Sequence, residues 1–200
     1  MLDFSSTQKN RDVIAKVLSS VYPADKPLRV LELASGSGQH AVFFADRFPR
    51  WTFQPTDLEP EHLQSIEAYR SYHGSPNLLP AIQLDASAEP WPLEGPFDAI
   101  WAINLIHISP WETTLGLFRG ARRHLLEGGS VYLYGAYRRG GEHTAPSNQA
   151  FDMSLKQRNP RWGVRCLDEV EAVARSQGFQ LSQVVEMPAN NLSVVFEPRA

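Results

Sequence analysis

The chain has 200 residues, of which 42% are hydrophobic and 20% are charged, and its formal net charge is −3. This balance is typical of a globular protein with a sizeable core and excludes an intrinsically disordered chain. The acidic net charge also makes a nucleic acid an unlikely main partner, because a polyanion-binding surface needs an excess of Lys and Arg.

Helices and strands are predicted to alternate along the first two thirds of the chain, because apolar residues recur at helical spacing in some segments and form short runs in others. In chain order we predict a helix over residues 6–20, a strand over 28–33, a helix over 41–48, a strand over 51–57, a helix over 61–72, strands over 79–84 and 97–103, a helix over 111–125 and a strand over 130–134. Glu127-Gly128-Gly129 is interpreted as the stop of the fourth helix.

The last third of the chain has a different pattern. A polar loop is predicted over residues 136–150, with helices near 148–158 and 167–177. Two strands, over 179–187 and 191–196, are joined by the short turn Pro188-Ala189-Asn190, which is typical of a hairpin. The whole pattern predicts an α/β protein with a Rossmann-like, doubly wound sheet of about seven strands, mostly parallel and ending in an antiparallel hairpin.

The strongest chemical signal is a glycine-rich turn, Ala34-Ser35-Gly36-Ser37-Gly38, between a predicted strand and a predicted helix. Glycine lets the chain turn sharply and lets a ligand approach the backbone, and the next helix offers unpaired N–H groups. Dinucleotide enzymes use such a turn to hold a pyrophosphate. Glu32, just before the turn, would repel a pyrophosphate but can accept a hydrogen bond from the amino group of S-adenosylmethionine (SAM). The motif therefore favours SAM over a dinucleotide, and a generic strand–helix turn is the third interpretation.

Polar residues also follow the next three predicted strands. Asp57 can accept hydrogen bonds from both ribose hydroxyls of SAM, although NAD offers the same diol. Asp85 can accept from the adenine amino group, with the Ala86 N–H also facing the ring, and Asn104 ends the fourth strand where donor and acceptor meet. Since ligands of doubly wound sheets bind beyond the carboxyl ends of the strands, we expect these residues at one site. The simpler interpretations are an exposed loop acid for Asp57 and a turn cap for Asp85.

Candidates for catalysis or acceptor binding are His107, His143 and Tyr137, with Asn148 as a further acceptor-binding candidate. His107 stands between apolar neighbours, so a buried packing residue is the simpler interpretation. The other three lie in the polar segment, which is typical of a substrate lid or of a mobile surface loop. We expect residues 136–165 to form a substrate loop and helix, and residues 1–27 an N-terminal helical segment, within a single domain covering 1–200.

The remaining sequence signals concern location and metal binding. The single cysteine, Cys166, cannot form an internal disulfide, which suits a reducing compartment. The first residues lack the features of a signal peptide, and no apolar run reaches the length of a membrane span. We therefore expect a cytoplasmic protein without membrane contact. No cluster of side chains has metal-ligand spacing, so no metal site is predicted, and the sequence indicates no particular oligomeric state.

Taken together, these residues resemble those of class I methyltransferases. More narrowly, the chain resembles the family that includes animal methyltransferase-like protein 26 and many bacterial proteins of unknown function. The matching segments are Gln8-Lys9-Asn10-Arg11, Leu31-Glu32-Leu33-Ala34-Ser35-Gly36-Ser37-Gly38-Gln39-His40, Asn104-Leu105-Ile106-His107-Ile108-Ser109-Pro110-Trp111, Ser147-Asn148-Gln149-Ala150-Phe151-Asp152, Trp162-Gly163-Val164-Arg165 and Met187-Pro188-Ala189-Asn190-Asn191. The resemblance implies the fold, SAM as the cofactor and methyl transfer as the activity, but it supplies no substrate.

The motifs and the resemblance together define a set of expected cofactor-binding residues. These are Asn10, Arg11, Glu32, Ala34, Gly36, Gly38, His40, Asp57, Leu58, Asp85, Ala86 and Asn104. The resemblance also implies a role for Asn190 and Asn191, and we expect the N-terminal helix and the final hairpin turn to close over cofactor or substrate. The sequence thus predicts a SAM-dependent methyltransferase acting on a small molecule. The alternatives are a non-catalytic SAM-binding regulatory protein and a nicotinamide-dependent oxidoreductase.

Overall fold

A computed structural model describes residues 1–199, in which helices and strands alternate as the apolar pattern predicts. The helices of this part are α1 (Ser5–Val21), α2 (Gln39–Arg47), α3 (Pro60–His73), α4 (Trp111–His124), α5 (Pro146–Arg158) and α6 (Leu167–Ser176). The strands are β1 (Leu28–Leu33), β2 (Trp51–Asp57), β3 (Ile82–Gln83), β4 (Phe97–Ile103), β5 (Leu125–Arg139), β6 (Glu142–His143), β7 (Arg165–Cys166), β8 (Phe179–Met187) and β9 (Asn191–Pro198). Within residues 1–199, no helix combines the length and the apolar character needed to cross a bilayer.

One sheet organises the molecule, with the strand order β3-β2-β1-β4-β5-β9-β8. The strands from β3 to β5 are parallel to one another, whereas β9 runs antiparallel to both β5 and β8. The short strands β6 and β7 pair with the end of β5. The prediction of a mostly parallel sheet with a C-terminal antiparallel hairpin is confirmed. The strand order reverses between β1 and β4, and ligands of doubly wound sheets bind at such a switch point.

Both faces of the sheet are covered, which explains why its central strands are almost continuously apolar. In β4, Ala99 and Trp101 belong to the core shared with α1 and α2, whereas Ile100 and Ala102 belong to the core shared with α4 and α6. Trp101 is completely buried. Burying a large apolar side chain stabilises a fold by about 1.5–3 kcal/mol, so these two cores hold the strand ends in place.

The structure differs from the sequence prediction at three element boundaries. The third strand is limited to Ile82–Gln83, because Pro80 has no N–H with which to extend the ladder over 79–84. The fourth helix ends at His124 rather than at the predicted glycine stop, since Leu125 already pairs with Phe97 and begins β5. The predicted polar loop at 136–150 is partly regular, because β5 continues to Arg139, pairs with β6 and is followed by α5.

Candidate active site

The glycine-rich turn between β1 and α2 has unusual backbone conformations at three positions. Ala34, Gly36 and Gly38 have φ values of 54°, 57° and 88°. A Cβ atom on Gly38 would lie 2.8 Å from the Cα of Ile66, and one on Gly36 would lie 3.1 Å from a ring carbon of Phe4. The turn therefore uses glycine at both positions for its backbone conformation and for close packing against its neighbours.

A cavity of about 690 Å³, the first cavity, opens beyond the carboxyl ends of the four strands β1 to β4. Eight of the residues predicted to bind the cofactor line it: Ala34, Gly36, His40, Asp57, Leu58, Asp85, Ala86 and Asn104. Its volume lies within the range of small-molecule sites. Residues that are far apart in the sequence thus meet in one place, as their positions at strand ends predict.

The other four predicted cofactor residues do not line the first cavity. Asn10 lines a neighbouring cavity, whereas Arg11, Glu32 and Gly38 line neither. The guanidinium carbon of Arg11 lies 4.8 Å from the centre of the Phe43 ring. Cofactor contacts of all twelve residues, inside and outside the first cavity, stay predictions.

Asp57 joins the end of β2 to the glycine-rich turn. Its Oδ2 accepts a hydrogen bond from the Gly36 N–H at 2.8 Å, and its Oδ1 accepts one from the Glu59 N–H at 3.0 Å. The Nδ1 atom of His62 also lies 3.0 Å from Oδ1. A carboxylate has about four lone-pair sites, so Oδ2 keeps room for one further donor such as a hydroxyl of a ligand.

Acidic side chains dominate the charge of the first cavity. The carboxylates that line it belong to Asp57, Glu59, Asp85 and Glu112. The lining also holds two arginines, Arg158 and Arg161, so its four carboxylates and two guanidinium groups together carry a formal charge of −2. Arg161 Nη2 lies 3.0 Å from Glu112 Oε2, and the guanidinium of Arg158 lies 5.1 Å from the centre of the Trp162 ring. Such a lining favours a cationic ligand over a pyrophosphate.

Glu32 is buried at the end of β1, behind the wall of the first cavity. It is 3% exposed, and its Oε2 atom has no hydrogen-bond partner within residues 1–199. Burial, with a smaller contribution from the charge of Asp57, raises the pKa of Glu32 to about 7. Ser35 does line the cavity, and in the described chain its buried hydroxyl also lacks a partner. The Ser35 hydroxyl also lies near enough to the Glu32 carboxyl group to lower its pKa, so this hydroxyl can pair either with Glu32 or with a ligand.

A second cavity, of about 550 Å³, adjoins the first, because Ser6 and Asn104 line both. Its wall comes from α1, β5, the start of α5 and the turn between β8 and β9. Both elements that are predicted to close over the site, the N-terminal helix and the hairpin turn, therefore contribute to this wall. Asn104 marks the junction, where its left-handed backbone has φ of 60° and its N–H donates to the Tyr134 carbonyl at 2.8 Å.

Asn148 holds the hairpin turn against α5. It is 3% exposed, and its Nδ2 donates to Thr144 Oγ1 at 3.0 Å and to the Asn190 carbonyl at 2.9 Å. The side chain of Asn190 in turn donates to Ser147 Oγ at 3.1 Å. These bonds fix one wall of the second cavity.

The three residues predicted to act in catalysis lie outside the lining of both cavities. His107 and Tyr137 are buried side by side, with ring centres 5.2 Å apart. Burial lowers the pKa of His107 to about 3 and raises that of Tyr137. His143 Nε2 lies 3.5 Å from Asp152 Oδ2. Catalytic roles for these three residues stay predictions.

Several residues of the first cavity were not singled out from the sequence. Phe4 lies over the glycine-rich turn, and Arg158 and Arg161 come from the end of α5 and the segment after it. His62, in the first turn of α3, contacts Asp57. Of these residues only His62 offers a sequence signal, since it stands at the start of a predicted helix just after a strand-end acid.

A family model described as "Protein of unknown function (DUF938)" matches residues 3–198. The match covers nearly the whole chain and shows the family to which the chain belongs.

Solved structures with a similar fold include class I SAM-dependent methyltransferases. An O-methyltransferase family 2 protein from Planctomyces limnophilus, in complex with apigenin, has 20% identity and a TM-score of 0.77, with 96% of this chain and 59% of that chain covered. The SAM-dependent methyltransferase SibL in its apo form has 19% identity and a TM-score of 0.77, with 97% and 56% covered. PigF with S-adenosylhomocysteine (SAH) has 17% identity and a TM-score of 0.72, with 84% and 50% covered. The chain thus spans between 50% and 59% of the length of these proteins and shares their Rossmann-like methyltransferase fold.

Proposed function

We propose that this chain, which belongs to the family of proteins described as DUF938, is a SAM-dependent methyltransferase. The observation that carries the proposal is the convergence of eight sequence-predicted residues on one acid-lined cavity at the switch point of the sheet. The fold shared with SAM-dependent methyltransferases supports it.

The residues of the first cavity fit SAM better than a dinucleotide. SAM carries a sulfonium and an ammonium group, which suit a lining with four carboxylates, whereas the pyrophosphate of NAD would be repelled by it. Asp57 Oδ2 accepts from a ribose hydroxyl, Asp85 accepts from the adenine amino group, and the Ser35 hydroxyl pairs with a polar group of the methionine part. Leu58 and Leu84 supply apolar surface for the adenine ring.

The chain's own residues contribute mainly by positioning the reactants and by excluding water. Bound SAM supplies a methyl group that is already activated by the sulfonium. Asn104, which lines both cavities, stands where donor and acceptor meet. Holding two reactants in this geometry lowers the barrier by removing the entropy cost of their encounter. A general base is needed only for an acceptor that is protonated at neutral pH, and His107, His143 and Tyr137 remain the candidates for that role.

The acceptor is proposed to be a small molecule. The adjoining second cavity has the volume of a small-molecule site, and a similar fold has been solved with apigenin bound. The narrower resemblance to the methyltransferase-like protein 26 family, the single domain and a cytoplasmic location belong to the same proposal.

Methyl transfer is tested by incubating the protein with methyl-labelled SAM and a small-molecule extract. We expect label in a low-molecular-weight product together with SAH, and less transfer by an Asp57→Ala variant when SAM is below saturation. Asp25→Ala serves as the matched control, because Asp25 is exposed and lines neither cavity. Binding of SAM without release of SAH would instead favour a non-catalytic regulatory protein. Preferential binding of NAD would favour an oxidoreductase.

A further inference from the structure

The two adjoining cavities have opposite charge character. The first is lined by four carboxylates and two guanidinium groups, so its formal charge is negative. Among the described residues that line the second, none is a carboxylate, and the one formally charged side chain is Lys9. A cation is therefore favoured in the first cavity and an anion in the second.

A side chain of the first cavity, His40, orients a hydrogen-bond donor of the second, the amide of Asn10. Burial lowers the pKa of His40 to about 3, so the ring is neutral at pH 7. His40 Nε2 lies 2.8 Å from Asn10 Oδ1, so the ring N–H donates to that oxygen. Because this bond uses the Oδ1 atom of Asn10, its NH₂ group is available to a ligand in the second cavity, which Asn10 lines.

Tyr134 adds a second donor to this cavity. Burial raises the pKa of Tyr134, against the opposing effect of hydrogen bonds from Asn10 and Asn191, so its hydroxyl keeps its proton at neutral pH. Because Tyr134 lines the second cavity and its hydroxyl is protonated, this O–H can donate to a ligand.

The size and remaining lining of the second cavity suit a compact ligand with an apolar body. Ser6, at the junction, and Val13, which also lines the second cavity, are seven residues apart on α1, a distance of about 10 Å along the helix axis. Val13, Ala136 and Phe151 supply apolar surface.

We propose that the second cavity binds the methyl acceptor and that this acceptor is a small carboxylic acid in its ionised form. This inference rests on the proposed function. One carboxylate oxygen accepts hydrogen bonds from Asn10 and Tyr134, Lys9 balances the charge, and the other oxygen faces the junction at Asn104. The hydrogen-bond donors of the cavity hold the anion through one carboxylate oxygen. The lone pairs of the other oxygen stay available to attack the methyl group.

The transfer balances without a base. A bond forms between the carboxylate oxygen and the methyl carbon, while the carbon–sulfur bond breaks and its electron pair stays on sulfur. The products are a neutral methyl ester and SAH, and no proton is released. A base is also not needed from the lining of the second cavity. Among the described residues that line it, Lys9 and Tyr134 are the ionisable side chains, and neither is a carboxylate or a histidine.

The ligand preference is tested on the SAH-loaded protein by thermal shift with benzoate, benzamide and benzylamine, which have similar size and different charge. We expect benzoate to stabilise the protein at concentrations about tenfold lower than benzamide, and benzylamine to have no effect. Lys9→Gln should remove this preference and leave SAH affinity unchanged. Lys16→Gln is the matched control, because Lys16 is exposed on the same helix and lines neither cavity.

The chemistry is tested by incubating the protein with methyl-labelled SAM and a panel of small aromatic acids, phenols and amines. Methyl esters release labelled methanol in alkali, whereas ethers and N-methyl products do not. Base-labile label that depends on Lys9 supports the proposal. Base-stable label, or SAH binding without any preference for benzoate, overturns the carboxylate inference and leaves the proposed function standing. Failure to bind SAH overturns both.

Discussion

The Nε2 atom of His40 lies 2.8 Å from the Oδ1 atom of Asn10, and this hydrogen bond joins the walls of the two cavities. His40 lines the first cavity and Asn10 lines the second. The His40 ring also stacks on Phe44, with centroids 5.5 Å apart and planes 7° from parallel. A packed ring therefore fixes the amide orientation that the acceptor encounters.

Replacing His40 with Phe keeps the stacked ring and removes the donor to Asn10. A hydrogen bond contributes about 0.5–1.5 kcal/mol, so we expect the benzoate affinity of the SAH-loaded protein to fall about twofold to tenfold. Calorimetry checks this, with His73→Phe as the control, because His73 is exposed and lines neither cavity. Equal benzoate affinity of His40→Phe and wild type would show that the amide needs no such positioning.

Replacing Asp57 with Ala should weaken SAH binding by about tenfold to a hundredfold. The variant loses an acceptor for the ribose and also the bonds to the Gly36 and Glu59 N–H groups that shape the turn. Hydrogen bonds to charged groups contribute about 1.5–3 kcal/mol. Calorimetry measures the affinity, with Asp25→Ala as control. Unchanged SAH affinity of the Asp57 variant would contradict a role of Asp57 in binding the ribose.

Gly38→Ala should lower the free energy of unfolding more than Gly74→Ala does. Both residues have left-handed φ values, 88° and 68°, so both variants carry the cost of about 1 kcal/mol for a side chain in this region. A Cβ atom on Gly38 would also lie 2.8 Å from the Ile66 backbone, whereas one on Gly74 meets nothing within 4 Å. Urea unfolding measures the difference, for which we expect about 1–3 kcal/mol. Equal losses would contradict the close packing of the turn.

Glu32 makes the stability of the ligand-free protein depend on pH. Its folded-state pKa of about 7 lies above the ordinary value of 4.5, so the folded protein favours the protonated carboxyl group. The stability that this preference contributes is fully present below pH 4.5 and is lost as pH rises through 7. We expect Glu32→Gln to gain roughly 3 kcal/mol relative to wild type between pH 4.5 and pH 8, because a neutral amide avoids the buried charge.

Denaturant unfolding at the two pH values measures the gain from Glu32→Gln. Glu61→Gln is the control, since Glu61 is exposed at the start of α3. A difference between Glu32→Gln and wild type that stays constant with pH would show that the Glu32 carboxyl group is not perturbed by burial.

Local sequence signals predicted the parts of the fold that depend on neighbouring residues. The strand Phe97–Ile103 and the hairpin turn at 188–190 were predicted at their observed bounds, because apolar runs are flanked there by turn-forming residues. Asp57 and Asp85 line the same cavity, because the carboxyl ends of parallel strands lie at one edge of the sheet.

Features that depend on tertiary packing could not be read from the sequence. Residues Lys9, Tyr134 and Asn190 meet at the second cavity only because α1, β5 and the hairpin fold together. The apolar neighbours of His107 favoured its burial, which the structure shows, but the sequence gave no sign that Tyr137 would be the ring it packs against.

Calorimetric titration of the wild-type protein with SAH and with NAD decides whether the first cavity is a SAM site. We expect one SAH site per chain and an affinity for SAH about a hundredfold or more above that for NAD, because the acidic lining repels a pyrophosphate. Binding of NAD with equal or higher affinity, or no heat of binding with SAH, would contradict it.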